Sequence, residues 1–320
     1  MIRSDSLLII MDSKKHSVLF ICLAALVLAE FIMTLFVNAL AGIGASGPVG
    51  WFLNNTGEIS DFYYVEITPA GWTFSIWAFI YTYQALFLLY TLTAICRRNK
   101  TGYVYRSPAV ITPVMLVVYA INLALNVTWL FLFDRQYMPA AVVVAAFLPT
   151  TLWIILFINH RLVDKHGYDF VQTKRGELIA IRAIIQNGLV FYATWVTIAT
   201  LLNLAIVLSY WGGMEQSTAC TICLSILLVE VLLYSVLENI VWDKYLRYTY
   251  TVWLVVIFAL IGSIAQNWNV AKPNSIFTAV LLGLAFALFL IKLVVSVWRT
   301  FSKPLYTARV SQSKEELAMA

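Results

Sequence analysis

The chain has 320 residues, of which 62% are hydrophobic and only 12% charged, about half the charge of a soluble domain. The missing charge is concentrated in windows of about 20 apolar residues, which excludes an ordinary soluble fold and makes this an all-α, polytopic helical membrane protein. The net charge of +5 comes from basic loops and does not point to nucleic acid. Four cysteines are too few for a disulfide scaffold. With three histidines and no Walker, dinucleotide-binding or HExxH pattern, there is no nucleophile or metal set on which to build an enzyme.

Residues 1–17 read as a polar cytosolic tail with Arg3, Lys14 and Lys15, within which Met11 offers an alternative start. Val18–Ala41 is the first span. Ala39-Leu40-Ala41 would suit signal cleavage, but the apolar run is long for that purpose and Glu30 interrupts it, so a retained helix is expected. Gly42–Ile67 is a loop without Lys or Arg, carrying the glycosylation sequon that begins at Asn54. Thr68 is suited to cap the next helix, Pro69 to its first turn, and Trp72 to the interface. The second span is 71–95, ended by Arg97-Arg98, followed by 111–133, 139–159, 180–208, 218–240, 249–267 and 275–298. Each approaches the roughly 20 residues that cross about 30 Å of hydrocarbon. The stretch from His160 to Gly176 reads as a solvated basic loop, and 299–320 as a second cytosolic tail.

The Lys and Arg residues of the tails and of the loops after the second, fourth and sixth spans all fall on one side, whereas Arg135 and Lys272 fall on the other. That asymmetry puts both termini in the cytosol and Asn54 on the glycosylation-competent side. A plasma-membrane or endomembrane location is favoured, with the mitochondrial outer membrane as the alternative. Arg182 and Lys292 lie in helix ends near the cytosolic face, where long side chains snorkel.

Depth then brings three helices together. Trp77 lies about 7 Å deeper than Trp72, while Asn126 and Trp129 lie about 10 and 6 Å below the same surface. Asn122 and Asn126 share a face, as do Trp195, Ala199 and Asn203. Taken singly, such Trp residues fill volume and such Asn residues bond a neighbouring helix. Agreement in depth equally supports an aromatic-walled pocket with a few polar orienters.

Glu30 and Glu230 sit mid-span, where a carboxyl group serves proton coupling or a protonated interhelical bond. Glu238 lies near a helix end and calls for no special role. Cys220 and Cys223 read as packing. Ala279, Gly283 and Ala287 form a small-residue stripe suited to close helix packing or a homodimer face.

PAGW-x4-W-x3-Y at Pro69–Tyr81, LALNVTW at Leu123–Trp129 and W-x3-AT-x-LN at Trp195–Asn203 together resemble the translocator protein / tryptophan-rich sensory protein (TspO/MBR) family. The resemblance covers about residues 18–210 as a five-helix unit and leaves 211–298 as three additional spans. It implies that Trp77, Asn126, Trp129, Trp195 and Ala199 line or adjoin a pocket for porphyrins and other flat apolar ligands, with Asn203 matching the motif. The segment after Asn203, LAIVLSYW, has no basic residue, so sterol recognition is not implied. The resulting expectation is a non-enzymatic protein in the lipid bilayer that requires no cofactor. It would bind a small lipophilic ligand, a tetrapyrrole or similar, among the second, third and fifth helices for sensing or transfer. The alternative is a proton-coupled secondary transporter of a small organic solute that uses Glu30 and Glu230.

Overall fold

Helix boundaries follow local capping. The Ser17 hydroxyl accepts from the Phe20 amide, and the Thr112 hydroxyl accepts from the Met115 amide with Pro113 at the first helical position. The computed structural model describes residues 15–306, so Arg3, Met11 and Lys14 and the tail beyond 306 lie outside the described residues. The long helices are α1 (Val18–Ile43), α2 (Ile76–Cys96), α3 (Pro113–Asp134), α4 (Met138–Lys165), α5 (Asn187–Tyr210), α6 (Gln216–Val236), α7 (Thr251–Asn267) and α8 (Pro273–Ser302). The all-α expectation holds: a two-residue hairpin, Arg98–Asn99 with Gly102–Tyr103, is the only strand pairing among the described residues.

Seven of these helices are long and apolar enough to cross a membrane, whereas α7 has 17 residues. At 1.5 Å per residue α7 is about 25 Å long, short of the hydrocarbon by about a turn. Its ends make up the difference. The Asn187 carboxamide, at the start of α5, accepts from the Tyr250 amide (2.9 Å), and the Asn187 carbonyl accepts from the Thr251 hydroxyl (2.7 Å). At the far end Asn267 donates to the Thr68 carbonyl (2.7 Å), so α7 runs the full depth of the bundle.

One apolar core takes residues from every long helix, among them Val27, Ile80, Leu116, Leu152, Val190, Leu227, Val256 and Leu281. The α5 segment is its centre: 61% of its apolar window is buried, against 22–39% for the other six. Wide turns precede α5 at Ile181–Gln186 and follow α6 at Leu237–Val241, a local geometry that recurs at functional sites.

The PAGW stretch docks on α7. The Ala70 amide donates to the Gly262 carbonyl (3.0 Å), and a Cβ at Gly262 would lie 2.1 Å from Thr73 Cγ2, so only glycine admits this contact. The helix starts differently from the expectation. Thr68 does not cap it; its hydroxyl accepts from the Val65 amide (3.0 Å) and closes a turn in the preceding loop. The helix begins instead with a tight turn over Gly71–Ser75.

Three further expectations are corrected. The fourth helix does not stop at residue 159 but continues to Lys165, which leaves His160 only 5% exposed rather than in a solvated loop. Lys292 does not snorkel; it is 1% exposed, and its ammonium lies 3.2 Å from the Glu238 carboxylate. Glu238 is therefore a buried partner of a charge and not an incidental helix-end residue. Gly283 and Ala287 face outward, so the small-residue stripe packs no helix within the chain.

The basic loops interlock at one end. Arg97 pairs with Glu177, Lys244 with Asp164 (2.7 Å), and Asp243 with both Arg247 (2.5 Å) and Arg299 (2.8 Å). Burial works to raise the Asp243 carboxyl, but hydrogen bonds and charge from Arg247 and Arg299 outweigh it and hold the group below its ordinary value.

Candidate functional site

Of the residues expected to bind ligand, five form two tight clusters. Asn126 on α3 accepts from Asn38 on α1 (2.9 Å) and donates to the Tyr192 hydroxyl on α5 (3.4 Å). Trp77 stacks on Tyr81 at 5.5 Å between ring centroids and meets Tyr192 edge-on at 6.0 Å. Nearer the helix ends, the Trp129 indole donates to Asn203 (3.4 Å), Asn203 donates to the Ala199 carbonyl (2.8 Å), and Trp129 stacks on Phe133. The Asn126 and Asn203 carboxamides and the Trp129 indole each have a protein partner, whereas the Tyr81 hydroxyl, on the ring that stacks on Trp77, and Asn122 Oδ1, one turn from Asn126, are buried without one among the described residues. Trp195 is separate: it turns toward α6 and α7 and lines a narrow cavity of about 40 Å³ with Pro69, Cys223 and Ser263.

A far larger cavity, about 420 Å³, lies between α4, α5, α6 and α7 toward the basic end. Its aromatic lining is Trp153 and Phe157 from α4, Tyr234 from α6, and Trp242 and Tyr245 from the connection to α7. Phe157 and Leu233 are more than half exposed, which places the mouth on the outer surface of the bundle between α4 and α6.

Local sequence explains how α4 presents its polar residues there. Asn159 donates to the Val110 carbonyl (2.9 Å) and accepts from Gln186 in the wide turn before α5 (3.1 Å), a buried anchor that fixes the rotation of α4. His160, the next residue, holds its Nδ1 2.7 Å from the Leu156 carbonyl. A carbonyl only accepts, so Nδ1 carries the proton and a neutral ring leaves a lone pair at Nε2. On α5, the Thr194 and Thr197 hydroxyls donate to the Val190 and Ala193 carbonyls (2.8 and 2.9 Å), so both present lone pairs to the cavity. On α6, Glu230 and Tyr234 stand one turn apart, with the Tyr234 ring between Trp153 (6.3 Å) and Trp253 (6.2 Å). Arg161 sits at the rim with its guanidinium over the Phe157 and Tyr245 rings (5.4 and 5.9 Å).

Three buried polar atoms on this wall, His160 Nε2, Glu230 Oε2 and Tyr234 Oη, have no hydrogen-bonding partner among the described residues. Orphaned buried polar atoms are costly and rare in a packed interior. Behind them Glu238 is fully buried, accepting from the Trp253 indole (2.9 Å), while Lys292 also donates to the carbonyl of the lining residue Leu246 (2.9 Å). Glu30 lies on α1, which packs against α3 and α2, and does not line this cavity.

Glu230 was legible in the sequence as a mid-span carboxyl group. His160, Trp153, Tyr234 and Arg161 were missed because they belong to no motif, although the four-residue spacing of Glu230, Tyr234 and Glu238 was an available signal of one polar stripe.

Apolar helices around a shared core, with a ring-lined side cavity holding a few polar groups, define an integral multi-pass membrane protein. Within that class, the family model described as TSPO-like protein matches residues 24–294, and the chain belongs to this family. The match runs from α1 into α8, beyond the five-helix stretch that carries the three motifs. No curated protein and no solved structure matches the chain.

Proposed function

We propose that this TSPO-like protein is a non-enzymatic membrane binding protein that takes a lipophilic ligand into the cavity between α4 and α7, for sensing it or passing it on. The observation that carries this reading is the conjunction of volume and chemistry. About 420 Å³ falls within the range of small-molecule sites, and an apolar wall with a few orphaned polar atoms is what such a site requires. The Trp77–Asn126 and Trp129–Asn203 clusters support the expected pocket among α2, α3 and α5 less well. Their carboxamides and the Trp129 indole bond within the protein, a ligand there would have to break those bonds, and the cavity of about 420 Å³ lies elsewhere.

Tetrapyrroles, implied by the family resemblance, are the first probes. Saturable quenching of tryptophan fluorescence by protoporphyrin dimethyl ester, which carries no propionate charge, is expected in detergent-purified protein. It should be lost in Thr197→Trp, which fills the cavity, and retained in Ala199→Leu. The reverse pattern would return the ligand to the α2, α3 and α5 side.

The Glu230 carboxyl group on the wall favours a second reading, proton-coupled transport, in which the path would rest on Glu230 without Glu30. Uptake into proteoliposomes driven by a pH gradient would support it; saturable binding without flux supports the binding protein. With both termini cytosolic, as the charge asymmetry implies, the cavity opens in the cytosolic half of the membrane. A glycosidase-sensitive shift that disappears in Asn54→Gln tests that orientation.

A further inference from the structure

We infer that the ligand of the α4–α7 cavity is an organic amine, with a compact apolar body and an N–H donor set among Glu230, His160 and Tyr234. This inference rests on the cavity being the binding site. It comes from counting what the wall can give and accept. His160 Nε2 is a lone pair because Nδ1 is committed to Leu156, and the Thr194 and Thr197 hydroxyls have spent their hydrogens on α5 carbonyls. Glu230 adds a carboxyl group with one oxygen buried and unpartnered among the described residues. The interior is therefore rich in acceptors. Against them stand the Tyr234 hydroxyl and the indole N–H groups of Trp153 and Trp242, with the Arg161 guanidinium at the rim.

A carboxylate in an apolar wall is costly unless a charge pairs with it. Glu238 has Lys292 for that purpose, whereas Glu230 has no basic partner among the described residues. A ligand ammonium supplies it, and the rings of Trp153, Tyr234 and Tyr245 are available to flank the cation. An anionic ligand would meet Glu230 and a row of lone pairs, with Arg161 at the mouth as its only opposite charge on the lining. A purely apolar ligand would leave the three orphaned atoms as they are. The amine is either a free organic amine or a long-chain base of the bilayer.

Two probes of one shape separate these cases: N-benzyl-1-naphthylmethylamine and the ether in which oxygen replaces its N–H. Equilibrium dialysis against the full chain in detergent should give at least about tenfold tighter binding of the amine, the order expected of one charge-assisted hydrogen bond. Glu230→Gln, which preserves shape, should abolish that preference while leaving ether binding unchanged. His160→Phe should weaken the amine and spare the ether. Equal binding of amine and ether, unaltered by Glu230→Gln, would overturn the amine inference while the cavity reading stands. Binding of both probes that survives Thr197→Trp would overturn the cavity reading itself. In nanodiscs, displacement of the amine probe by sphingosine but not by ceramide assigns the bilayer source; no displacement by either assigns the free amine.

Discussion

The two aromatic regions of this protein are built from the same residue types and differ in the space beside their polar groups. Around Asn126, Trp129 and Asn203 the amides and the indole bond within the protein, and the orphaned Tyr81 hydroxyl nearby belongs to a ring stacked on Trp77. Between α4 and α7, His160, Glu230 and Tyr234 each keep a buried atom without a partner among the described residues, beside about 420 Å³ of space. Trp and Asn at matching depth thus mark a place where helices hold one another. Unmatched polar atoms beside open volume mark a place where something else is held. Composition alone does not distinguish the two; hydrogen bonding and cavity volume together do.

The steepest loss of stability is expected at the charge behind the cavity. Lys292→Met leaves Glu238 buried without its cation and should cost about 3–5 kcal/mol, read as a large fall in thermal stability in detergent. The double variant Glu238→Gln/Lys292→Met should recover most of it. A single variant as stable as the parent would show that the pair does not hold the cavity wall.

A smaller effect sharpens the contrast between the regions. Asn126→Ala takes one acceptor from the Asn38 amide, which keeps the Thr34 carbonyl, and the Asn126 donor from the Tyr192 hydroxyl, and should cost about 1–3 kcal/mol without affecting ligand affinity. Glu230→Leu removes an orphaned polar group and should leave thermal stability unchanged or raised, while abolishing amine binding. Loss of stability in both would mean that Glu230 is structural, like Asn126.

Gly262→Ala tests whether the motif-bearing turn and α7 form one unit. The added Cβ meets Thr73, and overpacking of this kind costs about 1–3 kcal/mol. An unchanged melting temperature would contradict the close approach. The smallest effect belongs to the basic end. Because the folded Asp243 carboxyl is held low, its contribution is present above the ordinary carboxylate value of about 3.9 and is lost as pH falls through the folded value. Asp243→Asn should flatten the acid limb of a stability profile; an acid limb identical to the parent's would remove Asp243 from the account.

Much of this architecture is legible in the sequence, because a run of 20 apolar residues has few other places to go. The α7 segment shows the limit, since its 17 helical residues span the bundle only through polar contacts at both ends. Depth is legible too: Trp129 and Asn203, read into the same half of the membrane, meet across α3 and α5. Rotation about each helix axis was not. The residues His160-Arg161 and Asp164-Lys165 look like a solvated loop, yet Asn159 and Gln186 hold that turn of α4 inward. Lys292 looks free to snorkel until α6 widens at Leu237–Val241 and brings Glu238 to meet it. Long-range pairings of this kind leave no local pattern to read.

The most direct test of where the ligand sits is photoaffinity labelling of the purified protein with a diazirine-bearing lipophile, competed by its unlabelled parent and mapped by peptide mass spectrometry. Saturable labels are expected within Trp153–Arg161 of α4 and Leu227–Leu237 of α6 and its wide turn. Saturable labels at Trp77, Trp129 or Asn203 in their place would contradict that placement.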